Sequence, residues 1–370
     1  MSEPRRIVVI GGSAAGPKAA AKARRTDEHA DITIVQMEHD LSMASCGYPY
    51  YVGGFFDERN LLICAPTGVV CDPGFFAAAK AITALTETEA VAIDRQAKSV
   101  TCKRLADGET VVLPYDKLVI ATGATAKVPP VPGIDLDGIS TLHRMRDADY
   151  LRGIRDAGKV KEAVIIGGGL IGIETCEALE LAGIKVTLVE MMPQMLGFLD
   201  WEMARLVENY VRARGVRVIT NDGIAAFLGE GALEGVKLAS GQVLPCELAV
   251  LAIGVKPNSR LAQDAGLAIG RTGGIEVNAH MQTSDPDIYA AGDCVEIPHL
   301  ITGHRVHAPL GDLANLQGRV AGENAVLGNV ATFPGTYQTG ICKVFDYSVG
   351  STGLTEHNAR QAGFEDIVSV

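Results

Sequence analysis

The sequence has no Cys-x-x-Cys pair, and none of its eight cysteines falls at a zinc-ligand spacing. A disulfide framework and a metal site are therefore not expected, and thiols kept in this way fit a reducing, cytoplasmic compartment. Positive charge is also short: 33 Lys and Arg against 44 Asp and Glu leave a net charge of −11. Binding a phosphate backbone needs a basic surface, so nucleic acid is excluded as a partner. No apolar run approaches the roughly 20 residues that cross a bilayer, so no membrane association is expected. The N-terminus imitates a secretory signal, with Arg5 and Arg6 ahead of IVVIGGSAAG, but glycines punctuate it and Lys18 and Lys22 end it. It reads as a buried strand and a turn rather than a targeting segment. Aromatics make up only 5% of the chain, whereas 42 glycines occur without a collagen-like period. Glycine in that pattern means tight turns and close backbone approaches.

With 370 residues the chain can hold two or three domains. Three apolar runs feed directly into glycine. Residues 7–10 (IVVI) meet Gly11, Gly12, Ser13, Ala14, Ala15 and Gly16, residues 163–166 (AVII) meet GGGLIG at 167–172, and residues 118–121 (LVIA) meet Thr122 and Gly123. The first two continue into stretches of helical composition and then second strands, DITIVQ and IKVTLVE. Strand, glycine turn, helix and strand are thus written twice, about 156 positions apart. That pattern predicts an α/β protein with two doubly wound nucleotide-binding domains. KVPPVPG at 127–133 and GVKPNSR at 254–260 read as crossings between domains, and after about residue 326 alternating apolar and polar residues open a third, mostly antiparallel unit.

Each glycine turn is a candidate phosphate cradle, because backbone amides at a helix N-terminus carry partial positive charge. In the second, Gly167, Gly169 and Gly172 hold the G-x-G-x-x-G spacing, Leu170 and Ile171 lie between them, and Glu190 ends VTLVE. A carboxylate there accepts from ribose hydroxyls and repels a 2′-phosphate, which favours NADH over NADPH. In the first, Ser13 takes the middle glycine's place and Gln36 stands where an acid would end DITIV, followed by Met37 and Glu38. Gln36 can bond a ribose hydroxyl without charge. DIYAAGDC places Gly292 and Asp293 after a small-residue strand, where the aspartate could reach a flavin's ribityl chain or could be an ordinary turn residue. With the first cradle and Ala121-Thr122-Gly123, FAD is the expected ligand.

One stretch fits no period: SMASCGYPYYVGG at 42–54 sets a single thiol, Cys46, beside glycine, proline and three tyrosines. The ordered set GGSAAG, SMASCGYPYYVGG, ATGA, GGGLIGIE, AIGVKPN, YAAGDC and ANLQGR resembles the single-cysteine flavoprotein disulfide reductases of the pyridine nucleotide-disulfide oxidoreductase family. The nearest branch reduces coenzyme A disulfide, coenzyme A persulfide or polysulfide. The resemblance implies a glutathione-reductase-like fold. Its parts are an FAD domain at 1–118 and 250–325, an NAD(H) domain at 119–249, and a partial interface domain at 326–370 that builds a homodimer. It also implies that Cys46 is the catalytic, redox-active residue, cycling between thiolate and a mixed disulfide with coenzyme A. No second cysteine stands four residues after Cys46, so its partner must be external. A helix N-terminus or nearby positive charge would stabilise the thiolate.

By position, the resemblance places Glu174 near nicotinamide and flavin, Gly254 on the nicotinamide side, Ala90 at the adenine end of FAD, and Ala314 with Asn315 at the flavin's pyrimidine edge. Lys22, Arg25, Ser42 and Ser45 take the positions that hold coenzyme A. Leu170 replaces a gating tyrosine, and Ser45 replaces a frequent asparagine. Cys64 and Cys71, flanking APTGVV, are worth an assay, and Cys294 reads as packing. His299, His304 and His307 show no ligand spacing, so no metal is expected. Three activities remain open: sulfur reduction, an NADH oxidase or peroxidase passing through a sulfenic acid, and a redox sensor without turnover. Oxidase relatives carry a histidine in the first glycine loop, where this chain has Ala14. In relatives the interface domain runs longer, so a shortened chain is expected here.

Overall fold

A computed structural model describes residues 3–369. The chain divides into two compact units, each interrupted in sequence. The first comprises residues 3–44, Arg59–Thr125 and Lys256–Gln338. Its centre is a five-stranded parallel sheet in the order Thr83–Leu85, Asp31–Val35, Arg6–Ile10, Lys117–Ile120 and Ile288–Ala290. The apolar runs of these strands are buried on both faces, as parallel strands flanked by helices require. Val9, Ile34, Leu118, Ile120 and Ile288 are all at zero exposure.

The helix Ala15–Thr26 follows the first strand and packs along the helix Gly311–Leu327. The approach is close because Gly318 and Gly322 face the backbone of Ala15 and Ala19. A Cβ on Gly318 would stand 2.3 Å from the Ala15 carbonyl, and one on Gly322 would stand 2.2 Å from that of Ala19. A small antiparallel sheet, Thr88–Asp94, Ser99–Arg104 and Thr110–Pro114, completes this unit's larger elements.

The second unit comprises Ser45–Glu58, Ala126–Val255 and residues 339–369. It repeats the first design: a five-stranded parallel sheet in the order Arg217–Ile219, Lys185–Val189, Glu162–Ile166, Leu248–Leu251 and Ile139–Thr141. A three-stranded antiparallel sheet, Ile224–Leu228, Gly235–Leu238 and Val243–Pro245, shares a core with it through Phe227, Val236 and Leu238. The run after residue 326 forms one antiparallel hairpin, Gly340–Val344 with Tyr347–Ser351, and then a short helix, Glu356–Gln361. Thr355 starts that helix by accepting from the Asn358 amide, a turn chemistry that ends the strand pattern. Among the described residues no helix is long and apolar enough to cross a membrane.

Candidate active site

The two glycine turns are built alike. Gly11 has φ +110° and Gly167 φ +108°, values that L side chains rarely adopt. A Cβ on Gly16 would lie 1.8 Å from the Gly11 carbonyl, and one on Gly172 would lie 1.9 Å from that of Gly167. Both helices that follow, Ala15–Thr26 and Leu170–Leu181, begin without a side-chain cap. Their first amides are therefore available to an anion. Gly169 differs in kind from its neighbours, because a Cβ there would meet nothing within 4 Å. The protein does not need that glycine for its own packing, and the space is what a pyrophosphate would take. Ser13, at the equivalent place in the first cradle, is exposed.

Gln36 and Glu190 end corresponding strands, and each braces its own loop. The Gly12 amide donates to Gln36 Oε1 at 3.0 Å, and Gln36 Nε2 donates to the Asp40 carbonyl at 3.1 Å. Gln36 is buried, and the protein uses both ends of its amide. The Gly168 amide donates to Glu190 Oε2 at 2.6 Å, and the Met192 amide to Oε1 at 2.8 Å. Each carboxylate oxygen keeps a lone pair for a hydroxyl. Met37 is exposed and Glu38 half-buried beside the first loop.

Ala121, Thr122, Gly292 and Ala314 of the predicted set lie close to the first cradle. Gly292 has φ +86°, and a Cβ on it would stand 3.1 Å from Ala15 Cβ and 3.7 Å from Ala314 Cβ. Sequence reasoning missed two supports here. Gln317 Oε1 accepts from the Gly292 amide at 2.8 Å, and His307 Nε2 donates to the Asp293 carbonyl at 2.8 Å. Asn258 is a third: it bonds Thr122 twice, at 2.6 and 2.9 Å, and holds Thr125 Oγ1 at 2.7 Å. The asparagine of AIGVKPN thus fixes the turn at Gly123, the one signal in the motif that could have found it. Asn315 is half-buried with its side-chain amide on the Gly311 carbonyl, and Ala90 sits at a strand irregularity. Cys294 is buried against the carbonyls of Ile120 and Ala291. In the second unit Leu170 and Ile171 are half-buried, and Gly254 is exposed at φ +91°.

The thiol stretch has no period because its elements are too short to show one. Residues Ser45–Gly47 form a 3-10 turn, and Tyr48–Gly53 form a helix that tolerates Pro49 in its first turn. Gly54 ends it at φ +78°, where a Cβ would strike the Arg155 guanidinium. Cys46 is exposed, Cys64 intermediate, and the other six cysteines are buried. Arg152, on the helix Met145–Ala157, holds the segment: Nη1 donates to the carbonyls of Tyr51 and Phe56 at 2.9 and 3.1 Å, and Nη2 reaches Asp57 at 2.5 Å. The thiol helix also packs on the helix Leu170–Leu181, where Gly53 lets it approach Ala178.

A small cavity opens there, lined by Pro49, Tyr50, Phe55, Glu174, Glu177, Ala178 and Lys343. Lys343 pairs with Glu177, whose second oxygen accepts from the Phe345 amide at 2.8 Å. Burial, with a smaller push from Glu177, raises the Glu174 carboxyl to about 7. Burial also raises the Tyr50 phenol, aided by Glu174 and Glu177. Among the predicted substrate residues, Lys22 pairs with Glu323 at 3.0 Å and Arg25 is exposed. Ser42 adopts φ +56°, and Ser45 is exposed beside Cys46. Cys64 pairs in an isolated bridge with Val70.

Residues 5–308 match the family described as pyridine nucleotide-disulphide oxidoreductase. The NAD(P)H coenzyme A polysulfide/persulfide reductase of Pyrococcus horikoshii is 34% identical over 98% of this chain and 78% of its own. An NADH oxidase of Methanocaldococcus jannaschii is also 34% identical, over 96% of this chain and 77% of its own. Among solved structures, the NAD-dependent persulfide reductase from A. fulgidus superposes with a TM-score of 0.94 at 45% identity, over 97% of this chain. This chain spans 66% of that protein's length.

Proposed function

The chain belongs to the pyridine nucleotide-disulphide oxidoreductase family, and from that premise we propose that it is an NADH-dependent, FAD-containing reductase of sulfur compounds acting through Cys46. Its acceptor in this reading is coenzyme A disulfide, coenzyme A persulfide or polysulfide. The observation that carries the proposal is the exposure of Cys46 on a segment held by Arg152, while the other cysteines are buried or partly so. A thiol meant only for packing would be inside. The names borne by the similar proteins support the same chemistry.

In this reading the first cradle, with Gly292 and Asp293, holds FAD, and the second, with Glu190, holds NADH. When bound, the flavin supplies the path by which a hydride's electron pair reaches sulfur. This chain's own residues present the thiol, orient the two nucleotides and repel a 2′-phosphate. Cys46 attacks the acceptor's sulfur as a thiolate, a new S–S bond forming as the acceptor's own breaks and a thiolate or hydrosulfide leaves, so the leaving group's basicity sets part of the rate. Lys22, Arg25, Ser42 and Ser45 contact the coenzyme A moiety, and the working form is a cytoplasmic homodimer.

The experiment is an anaerobic reduction of the holoenzyme with NADH, followed by coenzyme A disulfide, polysulfide or oxygen, with flavin absorbance recorded. Fast reoxidation by a sulfur acceptor and slow reoxidation by oxygen is the predicted result. The reverse order favours the oxidase reading, which the Methanocaldococcus relative keeps in play. Ala14 weighs against it, since the glycine loop carries no histidine.

A further inference from the structure

The cavity beside the thiol helix holds more acid than nucleotide binding requires. Three elements meet at it. The helix Leu170–Leu181 brings Glu174 and Glu177, the thiol helix brings Tyr50, and the hairpin strand Gly340–Val344 brings Lys343. Glu177 is spoken for, since Lys343 and the Phe345 amide occupy its oxygens. No side chain or amide of the described residues donates a hydrogen bond to Glu174. Tyr50 follows Cys46 by four residues, about one helical turn, and its phenol is within electrostatic reach of both Glu174 and Cys46.

We propose that Glu174 stores, and Tyr50 delivers, the proton consumed when sulfur is reduced at Cys46, with the Glu177–Lys343 pair setting how firmly Glu174 holds it. The inference rests on the sulfur-reducing reading above. The balance is R–S–S–R′ + NADH + H⁺ → RSH + R′SH + NAD⁺. The S–S bond accepts two electrons and breaks, one proton arrives with the hydride, and the other must come from the protein or solvent. A thiolate released beside a neutral carboxyl and phenol takes that proton without waiting for water.

The charges around Glu174 support this assignment. On its own helix Glu177 pushes its proton affinity up, and Lys343 offsets Glu177. Cys342, on the same strand, is buried and its thiol is raised to about 12, so it stays neutral. The strands Glu162–Ile166 and Lys185–Val189, which also pack on this helix, carry charge only at their ends, where Lys185 pairs with Glu162 at 2.8 Å. Burial and Glu177 thus hold the carboxyl near 7, where it can both give and regain a proton close to neutrality.

Two measurements on the holoenzyme test the proposal. The first is the rate of reoxidation of NADH-reduced protein by coenzyme A disulfide, from about pH 5 to about pH 9. The wild-type rate should fall as pH rises through about 7. Glu174→Gln should lose that inflection, with a drop of about 100-fold on the acid side. Lys343→Met should move the inflection to higher pH, because Glu177 then acts uncompensated. The second is the infrared carboxylic-acid band, read without acceptor, which should titrate near 7 in wild type and be absent in Glu174→Gln. A Glu174→Gln profile that superposes on wild type, or no such band, overturns the proposal. If no sulfur acceptor reoxidises the wild type, the functional reading itself fails, and the infrared band still decides whether Glu174 stores a proton.

Discussion

Arg152 donates to the Tyr51 carbonyl at 2.9 Å, and this bond ties the last turn of the thiol helix to the helix Met145–Ala157. The same guanidinium also reaches Phe56, Asp57 and Asp156, and its side chain is only 13% exposed. Arg152→Met keeps the aliphatic stem but leaves the Tyr51 and Phe56 carbonyls without their donor. The expected cost is about 2 kcal/mol, on the scale of buried acceptors left unsatisfied. Urea unfolding checks the stability, and Cys46 should be alkylated faster in the variant.

The two kinds of glycine in the second cradle separate folding from binding. Gly172→Ala would put a Cβ 1.9 Å from the Gly167 carbonyl, so the domain should misfold or unfold at lower temperature. Gly169→Ala meets nothing within 4 Å and should fold like wild type. It should nevertheless weaken NADH binding by about tenfold or more, since about 1.4 kcal/mol of lost contact suffices. Calorimetry of folding and of nucleotide binding on both variants distinguishes the two roles.

Glu190 accepts the Gly168 and Met192 amides, and in the proposed function its charge faces the place where a 2′-phosphate would arrive. Glu190→Gln removes that charge while retaining an oxygen to accept the Gly168 amide. The ratio of kcat/KM for NADPH to that for NADH should rise by about tenfold, which corresponds to about 1.4 kcal/mol of relieved repulsion. An unchanged ratio would mean that the nucleotide's ribose lies elsewhere.

Glu174 also gives the protein a pH signature. Its pKa is raised from 4.5 to about 7 by burial, so the folded chain holds a proton that the unfolded chain has already released. Its stabilising share is therefore complete below about 4.5 and is lost as pH rises through about 7. Wild type should lose melting temperature relative to Glu174→Gln across that window, and thermal scans at stepped pH read the difference directly.

Much of this was legible in the chain. Two strand–glycine–helix–strand runs specify two parallel sheets, because Gly11, Gly16, Gly167 and Gly172 have steric reasons to be glycine that follow from the turn alone. The thiol helix was not legible, since six residues cannot display a helical period. The segment Ser45–Glu58 clusters with the second unit, a placement set by Arg152, Ala178 and other residues far away in sequence. The same holds for Gln317 and Asn258, whose roles depend on partners 25 and 136 positions distant. Lys343 joining Glu177 across 166 positions was equally invisible.

The most direct measurement of the central claim counts electrons at Cys46. Holoenzyme is treated with coenzyme A disulfide, desalted, and titrated anaerobically with NADH. If Cys46 carries the sulfur chemistry, wild type takes up about two NADH per flavin and Cys46→Ser about one, the difference being the pair that cleaves the mixed disulfide. Equal uptake by the two proteins would contradict the account.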